Sequence, residues 1–216
     1  MPISSSHIES IRKDYRKAKL DEDTAGNDPI AFFLRWFSEA EKAGSAEVNA
    51  MTLATVDQNG YPRARIVLLK GIDEKGFVFY TNYASSKGKE IENQPHVALV
   101  FFWEELERQV RIEGIAEKVD PAQSDAYFKS RPLGSRLGAW SSPQSQIITG
   151  RNLLETNYNR YEKEFAGKEI PRPDYWGGYC VVPHRIEFWQ GRSDRIHDRI
   201  FFELEDGNWK KFRLAP

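Results

Sequence analysis

Apolar and polar positions along this chain follow two different periods, and the change from one to the other marks out its elements. In the first twenty residues Ile8, Ile11, Tyr15 and Ala18 recur at helical spacing among many charges, which predicts a short amphipathic helix with a weak apolar face. Asp28-Pro29 then supplies an N-cap and a first-turn proline, Ile30, Phe33, Leu34 and Phe37 form an apolar stripe, and Gly44 ends it. From residue 51 the period is two. Residues 51–56 and 64–69, joined through Asn59-Gly60, predict a β-hairpin. Strands are expected at 77–81, 97–103 and 108–119, broken by the Asp73-Glu74-Lys75-Gly76 turn and by a short helix over 85–93 that stops before Pro95. Two further helices are predicted, one opened by Asp120-Pro121 with Gln123 at the capping-box position, the other carrying Leu154, Tyr158, Tyr161 and Phe165 before Gly167. Between them, residues 131–149 read as a polar connection rich in Ser, Gly, Gln and Pro, a kind of stretch more often functional than idle. Strands return at 178–189, 195–203 and 209–214, the last two joined by Asp206-Gly207.

About seven strands, mostly joined by short turns and interrupted by helices, describe an antiparallel α+β barrel and not a doubly wound sheet. At 216 residues one domain is expected, and no repeat or low-complexity tract divides it. Composition narrows the picture. With 40% hydrophobic and 13% aromatic residues a packed core can form, and 31 Lys+Arg against 32 Asp+Glu leave no basic field for nucleic acid or a membrane surface. The single cysteine, Cys180, excludes an intramolecular disulfide and a cysteine zinc cluster; it stands in an apolar run and reads as buried filler in a cytoplasmic protein. Residues 1–10 lack the basic-then-apolar order of a signal peptide, and the longest apolar run, 97–103, is far short of the roughly 20 residues that span a bilayer.

Dinucleotide, P-loop, nucleophile-elbow and kinase signatures are missing, and His7, His96, His184 and His197 are scattered without metal-pair spacing, so no metal is expected. The unusual feature is cations within strand patterns. Arg65 and Lys70 bracket an apolar run, and Arg195, His197 and Arg199 alternate, which predicts all three on one face of a strand. That pattern fits a solvated face; it also fits a phosphate or carboxylate site, because Arg forks and Lys points suit such oxygens. Tyr127, Arg131 and Ser135 can converge on one phosphate in the same way, although such spacing arises easily by chance.

Eight blocks, in order, carry a resemblance: Arg65-Ile66-Val67-Leu68-Leu69-Lys70, Phe79-Tyr80-Thr81-Asn82, Glu107-Arg108-Gln109-Val110, Tyr127-Phe128-x-Ser130-Arg131-Pro132, Gly138-Ala139-Trp140, Ile186-Glu187-Phe188-Trp189-Gln190-Gly191, Arg195-x-His197-Asp198-Arg199 and Arg213-Leu214-x-Pro216. From about Ile11 to Pro216 the chain resembles the pyridoxamine (pyridoxine) 5′-phosphate oxidases. The resemblance implies an FMN-binding split β-barrel over residues 21–216, preceded by a mobile segment at 1–20, and a homodimer with one non-covalent FMN per subunit in the cleft between subunits. By the same resemblance Arg65, Ile66, Val67, Leu68, Lys70, Tyr80, Thr81, Ser86, Lys87, Gln109, Gln144, Ser145, Trp189 and Arg199 belong to the flavin site. Lys70, Tyr127, Arg131 and Ser135 would hold the substrate phosphate, Arg195 and His197 would lie over the pyridine ring as the catalytic pair, and Arg12 and Tyr15 would cover the substrate.

The implied reaction oxidises C4′ of pyridoxamine or pyridoxine 5′-phosphate, with flavin N5 taking the hydride and O2 as final acceptor, giving pyridoxal 5′-phosphate and hydrogen peroxide, plus ammonia from the amine. The chain departs from the family pattern at Ser86, where many members have Arg, and at Glu47, where relatives often have Asp. Two other readings fit parts of the pattern: a split-barrel flavoprotein with a different reaction, which has no reason to keep Tyr127, Arg131, Ser135, Arg195 and His197 together, and a non-catalytic pyridoxal phosphate carrier, which would need no FMN.

Overall fold

The computed structural model describes residues 5–216. In chain order the helices are α1 (Ser5–Ser10), α2 (Glu22–Ala25), α3 (Pro29–Lys42), α4 (Ser86–Asn93), α5 (Pro121–Ser130), α6 (Leu133–Ser141) and α7 (Arg151–Glu164). The strands are β1 (Ala50–Val56), β2 (Pro62–Leu68), β3 (Gly71–Ile72), β4 (Phe77–Asn82), β5 (His96–Trp103), β6 (Arg108–Lys118), β7 (Trp176–Gln190), β8 (Asp198–Glu205) and β9 (Asn208–Arg213). Two compact units result: one from the described residues up to Val48 with Val100–Ile112 and Arg185–Pro216, the other from Asn49–Leu99 and Glu113–His184.

In the second unit strands run in the order β2-β1-β5-β6-β7-β4-β3, with β1·β2, β3·β4 and β4·β7 antiparallel. The hairpin forms as the dipeptide predicts. Gly60 takes the left-handed φ of +84° that a side chain would resist, and Asp57 Oδ1 accepts from the N–H groups of Asn59 and Tyr61 at 2.8 and 3.0 Å. Ser85 caps α4 and Asp120 caps α5, its Oδ1 accepting from Ala122 N at 2.7 Å. Phe128, Leu137, Ile170 and Trp176 form a buried cluster here, and Val78, Val119 and Cys180 another. Burial pushes the Cys180 thiol up to about 11.

In the first unit, β8 pairs antiparallel with the end of β7, setting Trp189 opposite Arg199, and β9 pairs with β8. Asp28 Oδ1 caps α3 through the N–H groups of Ile30 and Ala31 at 2.9 and 3.1 Å. The buried face of α3 is Phe32, Phe33, Trp36 and Ala40, a rotation away from the expected stripe; Leu34 is exposed and Phe37 only half-buried. Phe32 and Trp36 pack on Phe188 at ring distances of 4.3 and 5.3 Å, and Phe33 on Phe101 at 5.0 Å.

Three expectations are corrected. The N-terminal helix is only α1, and residues 11–20 carry neither helix nor strand: Ile8 and Ile11 are exposed, so the first half of the weak apolar face buries nothing. Residues 131–149 are not wholly a connection, since α6 lies inside them, its buried Leu137 and Ser141 supplying one face. Arg195 and His197 are not on a strand. Asp194 and Arg195 take left-handed φ of +57° and +61° in a short 3-10 turn, so β8 begins only at Asp198 and of the three alternating cations Arg199 alone lies in the ladder. Among the described residues no helix is long and apolar enough to cross a membrane.

Candidate functional site

The predicted site residues gather in two places, one in each unit. In the second unit, Ile66, Val67 and Leu68 of β2, Lys70 just beyond it, Tyr80 and Thr81 of β4, Lys87 of α4, Tyr127 and Arg131 at the end of α5, and Gln144 line one cavity of about 330 Å³, with Trp176 at its wall. Ser135 lines an adjoining cavity of about 270 Å³ that shares Arg131, Gln144 and Trp176 with the first.

Flat rings order this wall. Tyr80 stacks on Tyr127 at 3.9 Å and on Trp176 at 5.6 Å, and the Arg131 guanidinium lies over Trp176 at 4.6 Å. Burial raises the Tyr80 and Tyr127 hydroxyl pKa values and lowers that of Arg131. Arg131 Nη1 is buried with no hydrogen-bond partner. A buried guanidinium N–H left unpaired is costly, so the atom calls for an acceptor from outside the chain. Lys87 is similar: its Nζ reaches Ser85 Oγ at 3.3 Å, and its pKa is lowered first by burial and then by the nearby Arg65, with Glu90 opposing. A cavity with two under-satisfied cations and stacked rings suits a planar molecule bearing an anion.

Four expected members of the flavin set, Arg65, Ser86, Ser145 and Gln109, take other positions. The Arg65 guanidinium donates to Glu90 Oε2 at 2.8 Å, to Leu53 O at 3.4 Å and to Thr55 Oγ1, within reach of a buried carboxylate that sequence reasoning overlooked. Ser86 is exposed at the first position of α4, and Ser145 is exposed at φ +70°. Gln109 is half-buried on β6 in the first unit.

In the first unit a cavity of about 650 Å³ is lined by Arg12, Tyr15, Arg192, Arg195 and His197, among others. Tyr15 meets Trp189 edge-on at 5.7 Å, and Trp189 lies 4.6 Å from the His197 ring. His197 Nδ1 accepts from Arg192 N at 3.1 Å, which leaves Nε2 as the protonated nitrogen of the neutral ring. Burial, then the Arg195 charge, lowers the His197 pKa, while Asp198 opposes them. Arg195 is exposed. Arg199 is forked onto Glu187 at 2.9 and 3.0 Å, a hydrogen bond that raises its pKa. The carboxylates of Glu90, Glu187 and Asp198 answer the strand-borne cations. Their signal in the sequence was the mutual repulsion those cations would otherwise feel. Among the described residues no group of His, Cys, Asp and Glu could hold a metal ion.

Comparisons with known proteins identify relatives of the chain and of its fold. A family model for pyridoxamine 5′-phosphate oxidase matches residues 37–164, and one for the pyridoxine 5′-phosphate oxidase C-terminal dimerisation region matches residues 176–216. The pyridoxine/pyridoxamine 5′-phosphate oxidase of Synechocystis sp. is 54% identical over 97% of this chain and 98% of its own length, and that of Leptospira interrogans 56% identical over the same shares. Among solved structures, PhzG of Burkholderia lata, in complex with tetrahydrophenazine-1-carboxylic acid, superposes at a TM-score of 0.85 with 29% identity, covering 91% of this chain and 98% of PhzG. An FMN-binding protein of Nostoc punctiforme, related to pyridoxamine 5′-phosphate oxidase, has the same fold at a TM-score of 0.69 and 18% identity, over 88% of this chain and 98% of its own. The fold is thus the α+β split barrel expected from the sequence.

Proposed function

The chain belongs to the pyridoxamine 5′-phosphate oxidase family, and from that premise we propose how it carries out the family's reaction. It oxidises pyridoxamine 5′-phosphate and pyridoxine 5′-phosphate with O2 to pyridoxal 5′-phosphate, releasing hydrogen peroxide and, from the amine, ammonia. The observation that carries the assignment is the unpaired, buried Nη1 of Arg131 in a cavity that also presents Lys70 and Tyr127.

Lys70, Tyr127, Arg131 and Ser135 grip the substrate phosphate. An oxidase for an unphosphorylated ring would have no use for that group of donors. FMN, one per subunit and non-covalent, is the cofactor that fits: Lys87 and the apolar edge of β2 suit its phosphate and ring, and no dinucleotide fingerprint exists to hold the second half of FAD. When bound, FMN supplies the acceptor for the hydride that leaves C4′. By the family resemblance Arg65, Gln109, Gln144, Ser145, Trp189 and Arg199 also serve the flavin, with Ser86 in place of the more usual arginine. Arg195 sets C4′ in line and stabilises charge developing there; neutral His197 orients the ring, its Nε2–H free to donate. Arg12 and Tyr15, in the stretch 11–20 that carries neither helix nor strand, cover the substrate.

The match of residues 176–216 to a dimerisation region supports a homodimer, with the flavin cleft between subunits. We take residues 21–216 as one oxidase domain, because the chain passes between the two units inside β5, β6 and β7 without interrupting a strand. A cytoplasmic setting suits an unpaired thiol. Purified protein should be yellow, release FMN on denaturation and form peroxide with pyridoxamine 5′-phosphate. Colourless protein that takes up no FMN and forms no peroxide would overturn the proposal.

A further inference from the structure

Residues 11–20 have no helix or strand to hold them, yet Arg12 and Tyr15 line the cavity of Arg195 and His197. Ordering a coil segment costs backbone entropy at every residue, so a few well-placed contacts must offset it. The strongest comes from Glu107. This residue is 3% exposed, and its Oε2 accepts from two successive backbone N–H groups, Arg16 at 2.9 Å and Lys17 at 3.0 Å. Its backbone adopts the left-handed conformation, φ 55° and ψ 42°, uncommon for a residue with a side chain. In that position the Glu107 carbonyl accepts from Gly191 N at 2.8 Å and from Gln190 Nε2 at 3.2 Å. One residue therefore ties the N-terminal strap to the turn that follows Trp189.

Gly191 provides the seat. A Cβ placed there would come within 2.7 Å of Tyr15 Cγ and 2.8 Å of Tyr15 Cβ, too close to the root of the side chain for rotation to relieve. The absence of a side chain at Gly191 lets the Tyr15 ring settle against Trp189 and His197.

We propose that Glu107 and Gly191 are positioning residues for the substrate: Glu107 latches the strap and Gly191 receives Tyr15, so that Arg12 and Tyr15 stand over the ring bound by Arg195 and His197. The proposal rests on the B6-vitamer reading above. The bonds that Glu107 accepts end on a carboxylate and so are stronger than neutral ones, which makes Glu107→Gln a graded variant and Glu107→Ala a full loss.

The test uses the FMN-loaded enzyme and three measurements: steady-state kinetics with pyridoxamine 5′-phosphate, trypsin cleavage after Arg16 and Lys17 followed by mass spectrometry, and FMN affinity by flavin fluorescence. Glu107→Ala and Gly191→Ala should each raise KM about tenfold with kcat within about twofold of wild type, and speed cleavage by a similar factor. FMN affinity should stay unchanged, and Glu107→Gln should fall between wild type and Glu107→Ala. If Glu107→Ala does not fold, Gly191→Ala decides alone, since it disturbs only the seat. Wild-type KM and wild-type cleavage in the folded variants would overturn the proposal, as would a loss of FMN affinity equal to the rise in KM. Should the wild type itself fail to oxidise the amine, the functional reading falls, while the cleavage rates still decide whether the latch exists.

Discussion

The two cavities are built by opposite means. The one in the second unit is walled by regular elements and stacked rings, and Arg131 keeps a buried, unpaired Nη1 within it. The one in the first unit is edged by a coil strap and a left-handed turn; a hydrogen bond from Arg192 N holds His197, and Arg195 is exposed. Packing makes the first a fixed mould, suited to gripping groups that do not change during reaction. Sparse tethers make the second adjustable, suited to admitting a substrate and then closing on the carbon that reacts.

On the proposed assignment the largest effect should come from the adjustable side. Arg195→Ala should lower kcat by roughly 100-fold, as loss of one donor aimed at developing charge commonly does, with FMN still bound. Stopped-flow reduction of the flavin under substrate saturation reads this directly; an unchanged rate with only KM altered would erase the distinction between the cavities. Arg131→Ala comes next. It should raise KM by roughly 10- to 100-fold, matching about 1.5–3 kcal/mol for a charge-assisted contact made equally in ground and transition states, and leave kcat nearly intact. If both arginines altered the same constant, the comparison would fail.

The smallest effect sharpens the picture of the tethers. Glu22 is held to about 2, chiefly by its hydrogen bond to Arg213, against an ordinary value of 4.5. Because the folded pKa is depressed, the pair's stabilisation is complete above about 4.5 and fades as pH falls toward about 2. Glu22→Gln should therefore lower the melting temperature slightly at pH 7, and the gap from wild type should narrow between pH 5 and 3. A gap that is constant or widens on acidification would show that this exposed pair does not tether the segment.

The mould was far more legible in the sequence than the tethers. Asn59-Gly60 and Asp120-Pro121 act through neighbours a few residues away, so local spacing specified the first hairpin and α5. Lys70, Tyr80, Thr81, Tyr127 and Arg131, marked by the family blocks, line one cavity together with Lys87. Alternation misled at Arg195 and His197, because left-handed residues at 194 and 195 break the strand and neither Asp nor Arg advertises that conformation. Nor could spacing reveal Glu107 and Glu90. The bonds of Glu107 to Arg16 and Lys17 span about ninety positions, and the Arg65–Glu90 pair spans 25. Separations of that size carry no periodic signal.

The burial of Cys180 bears on how long such a catalyst lasts. Each turnover makes a molecule of hydrogen peroxide, an oxidant that attacks thiolates and exposed thioethers. With its pKa pushed up to about 11, Cys180 is ionised in only about one molecule in ten thousand at neutral pH, and the side chain is 6% exposed. Met51, 1% exposed, is equally withdrawn. Among the described residues, the thiol and the thioether are thus withdrawn from the enzyme's own by-product, and its working life should be set by loss of cofactor or unfolding before their oxidation.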